Sequence, residues 1–457
     1  MMASLTNIVR IPQLRKQLMV TFALIAVYRL GFHVFIPGVD REAVMHALDA
    51  AKNGGGGLAS VLGFAGAITG GALTEAALFS LGIMPYISAS IIFSLLVKVI
   101  PQLEALSKEG EGGRKLINQY TRYATIVLCI IQSMFVVTYL RTGAGGNGNL
   151  ILPQYRDYWF FYLSTVVTLT TGSVFLMWLG EMITEFGVGN GISLIIMSGI
   201  IARMPFALIN FVETEIIRPA KEADARLFIT LGIGKLIFFL GLFVTVIFAV
   251  VLTQQSQRRI PIQQAKHTRG RRVYGGQRHY LPFRINAAGV MPVIFANSLL
   301  ILPIALLQYL GLDIGRGLRA ERGFWYMTLT IGLIYFFTYF WMSLQFNPIE
   351  MANNMKEYGS FIPGIRPGRK TAEYLEEIMN RVTLVDATFL VAITLFPTIV
   401  MHVMKLDYYL ASFLGGTGVL IVVGVALDIV QKVESHLLMR HYEGFIKRGK
   451  VRGRKGS

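Results

Sequence analysis

A chain of 457 residues with 54% hydrophobic and only 15% charged residues does not have the make-up of a soluble protein, which carries about a quarter charged. Its formal net charge is +17 and it holds a single cysteine, Cys129, which excludes a disulfide within the chain, a CxxC redox pair and a zinc-cysteine site. The composition is that of an all-α polytopic membrane protein.

The N-terminus carries Arg10, Arg15 and Lys16 ahead of the first apolar run, with no small-residue cleavage site after a short apolar core. This predicts an uncleaved first helix, not a removed signal peptide. A span needs about 20 mostly apolar residues, and ten such runs follow: 18–37, 76–98, 118–140, 158–180, 191–210, 228–252, 286–309, 325–345, 384–404 and 412–431. Cys129 lies inside the third and reads as small apolar packing.

Between the first and second runs lies Gly54–Thr74, GGGGLASVLGFAGAITGGALT, uncharged and rich in glycine. It joins GIMPYISASIIFSLLV (Gly82–Val97) with no polar loop between. Charge decides whether it crosses. With the N-terminus inside and ten crossings, 29 of the 43 Lys and Arg lie on the inner side and 11 on the outer, three remaining in or at the ends of spans. If Gly54–Thr74 crossed, every later loop would flip, leaving 12 inside and 28 outside. The positive-inside rule selects the first arrangement, with both termini cytoplasmic. The segment therefore dips and returns, which the bilayer tolerates only where protein or water satisfies its backbone. Such a cavity with a lid suggests a pore. Ten spans also divide into two five-helix halves, which permits an inverted repeat.

Catalytic signatures are missing: the chain has no HExxH, GxSxG, Walker or EF-hand loop. Its histidines, His33, His46, His267, His279, His402, His436 and His441, show no ligand spacing. No metal or cofactor is expected, and the chain does not read as an enzyme. A secondary solute transporter would place ionisable groups deep in its spans, and the candidates are Arg29, Lys235 and Asp428. Arg29 falls near the middle of the first run, the other two nearer span ends.

The isoleucines carry a different pattern. Ile83 and Ile87 share a helix face one turn apart, and Ile192 and Ile196 repeat that spacing after GVGNG (Gly187–Gly191). Ile294 follows Pro292, and Ile421 follows GGTG of the tenth run. Isoleucines in membrane helices ordinarily pack or face lipid. Beside Gly or Pro breaks they could instead ring a pore, narrowing it to a constriction that excludes hydrated ions by dewetting. Two loops also stand out. Residues 254–284 carry eight Lys/Arg and no acid, with Tyr274 and Tyr280 interleaved; residues 346–382 set Arg366 among Pro363, Gly364, Pro367 and Gly368. Charge of this sign fixes topology, but the loops exceed usual connections. Docking to RNA or an acidic partner would explain the length.

Together the strings GIMPYISASII (82–92), KEGEGGRKLINQYTRY (108–123), GEMITEFGVGNGISLII (180–196), QRRIPIQQAK (257–266), GRRVYGGQ (270–277), INAAGVMPVIFANS (285–298), FNPIEMANNMKEYGSFIPGIRPG (346–368) and GGTGVLIVVGVALD (415–428) resemble SecY, the family of channel subunits of the bacterial protein translocase. The resemblance covers nearly the whole chain. It implies an N-terminal half (1–210), a C-terminal half (228–432) and a basic cytoplasmic tail (433–457), with a central pore between inverted halves. Unfolded secretory polypeptides would cross the cytoplasmic membrane through this pore, and membrane segments would leave it sideways into lipid.

Matched motif by motif, the pore ring falls on Ile83, Ile87, Ile192, Ile196, Ile294 and Ile421. The plug falls on about 58–72, with Leu58, Val61, Leu62, Phe64 and Ile68 as its apolar face. A lateral gate falls on spans 76–98 and 286–309, with Ser88 and Asn297 as its polar residues. Arg258, Arg259 and Arg366 fall where the ribosome or the SecA motor ATPase docks. The resemblance further implies SecE-like and SecG-like subunits, signal sequences and nascent chains as ligands, and contact with membrane lipids. A solute transporter and a structural scaffold are the rival readings. The GGGG run at 54–57, GAGGNG at 143–148 and Met291 before Pro292 depart from the family pattern.

Overall fold

The structure is a computed structural model that describes residues 12–40, 42–44, 77–142, 150–155, 158–213, 217, 225–264, 267–269, 272–274, 278–296, 299–300, 324–404 and 417–448. Its helices are α1 (Pro12–Leu30), α2 (Met84–Val99), α3 (Pro101–Lys108), α4 (Glu111–Thr142), α5 (Trp159–Phe186), α6 (Gly191–Val212), α7 (Ala225–Gln255), α8 (Phe324–Gln345), α9 (Pro348–Glu357), α10 (Arg369–Met404) and α11 (Thr417–Arg448). A further helical stretch covers 291–296 and 299–300. Each of the ten expected spans therefore meets a helix. Among the described residues, five helices are long and apolar enough to cross a membrane, or six if α2 and α3, bent by 98° at their junction, count as one. The chain is an all-α polytopic membrane protein in its bundle.

Helix ends follow local chemistry. Gly82, at φ 59°, takes the left-handed conformation that a side chain resists, and Pro85 opens the first turn of α2. In FNPIE, the Asn347 side chain accepts the Glu350 N–H and Pro348 occupies the first helical position of α9. α10 has 36 residues, about 54 Å at 1.5 Å per residue, which exceeds the hydrocarbon thickness of about 30 Å. One end must project from the membrane.

That projection organises the two long loops, which are folded and not purely helical. Strands β1 (Gln257–Gln264) and β4 (Arg278–Arg284) pair antiparallel, with Arg258 opposite Phe283 and Ile260 opposite Leu281. β5 (Ser360–Phe361) adds to the other edge of β1, and β2 (His267–Arg269) pairs with β3 (Arg272–Tyr274) as a separate ribbon. Ile260 and Phe283 from this sheet pack in one cluster with Leu375, Ile378, Met379 and Val382 of α10 and with Ile362. The β-structure was not anticipated from the loop composition. The sheet stands because the projecting first turns of α10 give it an apolar floor.

Two larger clusters fill the bundle. The first joins α1, α2, α5, α6, the 291–300 helix and α11. The second joins α7, α8, α10 and α11 to the other side of the 291–300 helix through Val293 and Ala296. Within a bilayer lipid is as apolar as leucine, so these clusters hold by close packing and not by release of water.

Candidate functional site

The six isoleucines come together. Ile83, Ile87, Ile196, Ile294 and Ile421 are buried members of one cluster, and Ile192 packs against it half-buried. The five buried ones run from 3% exposed at Ile83 to 9% at Ile294. Four separate segments thus converge on one apolar knot. The stripes continue one turn further than the sequence reading carried them: Ile91 follows Ile87, Ile200 follows Ile196 and Val425 follows Ile421, all in the same cluster. Extending the four-residue spacing by one step would have found them.

Backbone capping sets the second pair of isoleucines. Gly189, at φ 92°, turns the chain between α5 and α6. The Asn190 side chain then accepts the N–H groups of Ile192 at 3.1 Å and Ser193 at 3.2 Å, capping α6. The Thr184 hydroxyl accepts the Gly191 N–H at 2.9 Å and donates to the Gly180 carbonyl at 2.8 Å. From the first span, the Thr21 hydroxyl accepts the Val188 N–H at 3.1 Å. The turn between these two helices thus has its buried N–H groups satisfied by protein side chains.

An aromatic group anchors the other entry to the knot. Phe79 stacks on Tyr28 and Phe175, with ring centroids 6.1 and 6.2 Å away, and meets Phe32 edge-on. Leu78 N–H donates to the Val34 carbonyl at 2.7 Å, and Phe35 forms a bridge with Ala77. The chain that emerges from the expected plug is therefore pinned against the end of the first span just before Ile83. The plug residues Leu58, Val61, Leu62, Phe64 and Ile68 lie outside the described residues, as does Asn297. Ser88 is half-buried on α2, between the buried Ile87 and Ala89.

The arginines occupy the folded loops. Arg258 and Arg259 are exposed on β1, and Arg366 is exposed in the turn before α10, where its carbonyl accepts the Thr371 hydroxyl at 3.0 Å. Near them runs a cleft of about 280 Å³ between sheet and α9, lined by Ile262, Leu281, Met351, Asn354, Met355, Tyr358 and Ser360. In the 98–122 loop, Lys108 and Glu104 pair at 2.8 Å. The hydrogen bond from Lys108 holds the exposed Glu104 carboxyl below its ordinary range.

Two of the ionisable residues of the transporter reading have described surroundings. Arg29 is in the last turn of α1, with its guanidinium 4.8 Å from the Phe32 ring centroid. Asp428 lies 3.9 Å from Lys432, both about half exposed. The sequence reading missed Asp386, a fully buried acid near the start of the ninth span. Its signal was a lone aspartate inside an apolar run, DATFLVA. No group of three or more His, Cys, Asp or Glu suited to a metal occurs among the described residues.

The fold and this apolar knot define a multi-pass helical membrane protein whose bundle packs around a buried cluster rich in branched side chains. A SecY family model matches residues 77–430. A protein translocase subunit SecY from Thermotoga maritima is 41% identical over 449 residues, covering 98% of this chain and 99% of that one. Among solved structures, one titled "The structure of a protein conducting channel" superposes with a TM-score of 0.56 at 18% identity, covering 92% of each chain. Another, titled "Sec61 in the Canine ribosome-channel complex from the endoplasmic reticulum", gives a TM-score of 0.54 at 17% identity, again over 92% of each chain. The chain belongs to the SecY family.

Proposed function

We propose that this protein is the protein-conducting channel of a Sec translocase, moving unfolded secretory polypeptides across the cytoplasmic membrane and releasing membrane segments sideways into lipid. The observation that carries it is the convergence of six isoleucines from four segments on one buried cluster, in a chain of the SecY family. Branched apolar side chains contact any passing residue without needing hydrogen bonds, so they seal around a sliding chain as a gasket does. When the pore is idle they meet each other and exclude hydrated ions.

The remaining assignments complete this reading. Residues 1–210 and 228–432 form the two halves, 433–457 is a basic cytoplasmic tail, and both termini are cytoplasmic. About 58–72 is the plug. The faces of α2 and the 291–300 helix are the lateral gate, with Ser88 and Asn297 as its polar residues. A signal sequence opens this gate to the extent that it binds the open state better than the closed one. Arg258, Arg259 and Arg366 dock the ribosome or a SecA-type motor. Phosphate-rich RNA or an acidic protein face would pair with these exposed guanidiniums. SecE-like and SecG-like subunits accompany the chain. Energy from ATP or GTP comes from the partners, since the sequence offers no phosphate-binding loop.

Reconstitution tests the whole reading. Proteoliposomes holding the chain with a SecE-like subunit, a SecA-type motor, ATP and a secretory precursor should protect the precursor from added protease. Protection that is equal without the channel, or uptake of a small solute in its place, would overturn it. The half-exposed Asp428–Lys432 pair gives a transporter no buried ion site at that position.

A further inference from the structure

Among the described residues, Asp386 is the buried charge-bearing residue that the channel reading leaves unused. It is 0% exposed on α10, near the start of the ninth span. Its Oδ2 accepts the backbone N–H of Ala288 at 3.4 Å, and its Oδ1 has no hydrogen-bond partner. Ala288 is itself 2% exposed. It belongs to the short linker between β4 and the 291–300 helix, which has a turn at Gly289 (φ 64°) whose N–H donates to the Asn286 side chain at 2.8 Å. Before that turn, Ile285 N–H donates to the Ser256 carbonyl at 3.0 Å. Within this linker Ala288 is tied across the bundle to α10, and Val290 packs against both large clusters.

The tie is placed where it can govern movement. The 291–300 helix faces two ways: Ile294 enters the isoleucine ring, while Val293 and Ala296 pack with Leu390 and Ile393 of α10. Leu390 and Ile393 are one and two turns along from Asp386 on the same helix. A buried acid in a span is costly and marks function by default. Here its acceptor meets a buried N–H that would otherwise lack a partner.

We propose that Asp386 is a positioning residue that fastens the root of the 291–300 helix to the ninth span, so that this side of the gate moves with its own half of the bundle. Its effect is to hold the gate closed against weak signal sequences. The inference rests on the channel reading above, with the 291–300 helix as one side of the gate.

The test compares two precursors in reconstituted channel with motor and ATP, one with a full signal sequence and one with a shortened apolar core. Asp386→Leu and Asp386→Ala remove the acceptor, and Asp386→Asn keeps one. The Leu and Ala variants should raise the ratio of weak to full precursor transported several-fold, while Asp386→Asn stays near the parent ratio. An unchanged ratio in the Leu and Ala variants overturns the tie. So does an Asn variant as permissive as Leu, because charge and not the acceptor would then matter. Failure of both Leu and Ala variants to accumulate as assembled channel also overturns it, since Asp386 would then serve folding. The Ile87→Gly, Ile196→Gly double variant separates the two readings in the same vesicles. Ion leak there with an unchanged precursor ratio in the Leu and Ala variants sinks the tie alone; precursor protection that is equal without the channel sinks the channel reading and the tie with it.

Discussion

The hydroxyl of Thr21 accepts the backbone N–H of Val188 across 167 residues of sequence, at 3.1 Å. The same hydroxyl donates to the Gln17 carbonyl of its own helix at 2.9 Å. One threonine therefore joins the first span to the break that launches Ile192 and Ile196. In water such a bond would be replaceable by solvent; inside a bundle it is not. Thr21→Val keeps the shape and removes the acceptor, stranding a buried N–H at a cost of about 1–3 kcal/mol. A lowered melting temperature of the purified channel is expected, and an unchanged one would remove Thr21 from this role.

Replacing Ile87 and Ile196 together by glycine should raise the ion conductance of the idle channel several-fold in planar bilayers. Both are buried in the isoleucine cluster, and if that cluster is the pore ring proposed above, two missing branched side chains leave room for water where dewetting had excluded it. Conductance equal to the parent would count against the ring.

Gly191 opens α6 where a Cβ would collide with the Gly180 carbonyl, and a Cβ at Gly172 would collide, less closely, with the Leu78 carbonyl. Gly191→Ala should destabilise by about 1–3 kcal/mol, as overpacking does. It should also push α6 outward, so thermal denaturation and idle conductance are expected to change together. Gly110, with open space around it but φ 86°, provides a contrast: Gly110→Ala strains only its own turn.

Charge reversal at Arg366 should reduce motor- or ribosome-driven transport without lowering the amount of channel in the membrane. The side chain is exposed, and what the fold uses at this position is the carbonyl, bonded to Thr371. Pull-down of motor or ribosome at two salt concentrations checks the point, since exposed charge pairs weaken with ionic strength. Loss of assembled channel would make the residue structural.

A cysteine introduced within 58–72 should react with an outside, membrane-impermeant reagent faster during transport than at rest. The native Cys129 is fully buried and should stay unlabelled under native conditions, so the parent chain is a suitable background. Equal labelling in both states would remove the plug assignment.

Much of the bundle was legible in the sequence because the bilayer enforces it. A span must be about 20 apolar residues with its backbone bonded to itself, so each of the ten apolar runs met a helix, including Phe324–Gln345 against the run at 325–345, while the short helices Pro101–Lys108 and Pro348–Glu357 were not read from it. The four-residue spacing of the isoleucines was equally readable, since it belongs to one helix at a time. Which four segments meet is a different kind of fact. Ile83 and Ile421 are neighbours in the cluster because Gly82, Gly189 and the Thr21–Val188 bond fix helix entry points, and no local pattern reports an entry point. The loops show the same division. Their charge was visible in the chain, but the sheet that carries Arg258 and Arg259 depends on the apolar floor of α10 more than 100 residues later. Asp386 was hidden for the opposite reason: one acid in an apolar run looks like an interfacial residue until its partner, Ala288, is in place. The sequence by itself determined the solvent, the spans and the family. Only the tertiary structure decided which side chains close the bundle, because that depends on contacts between segments distant along the chain.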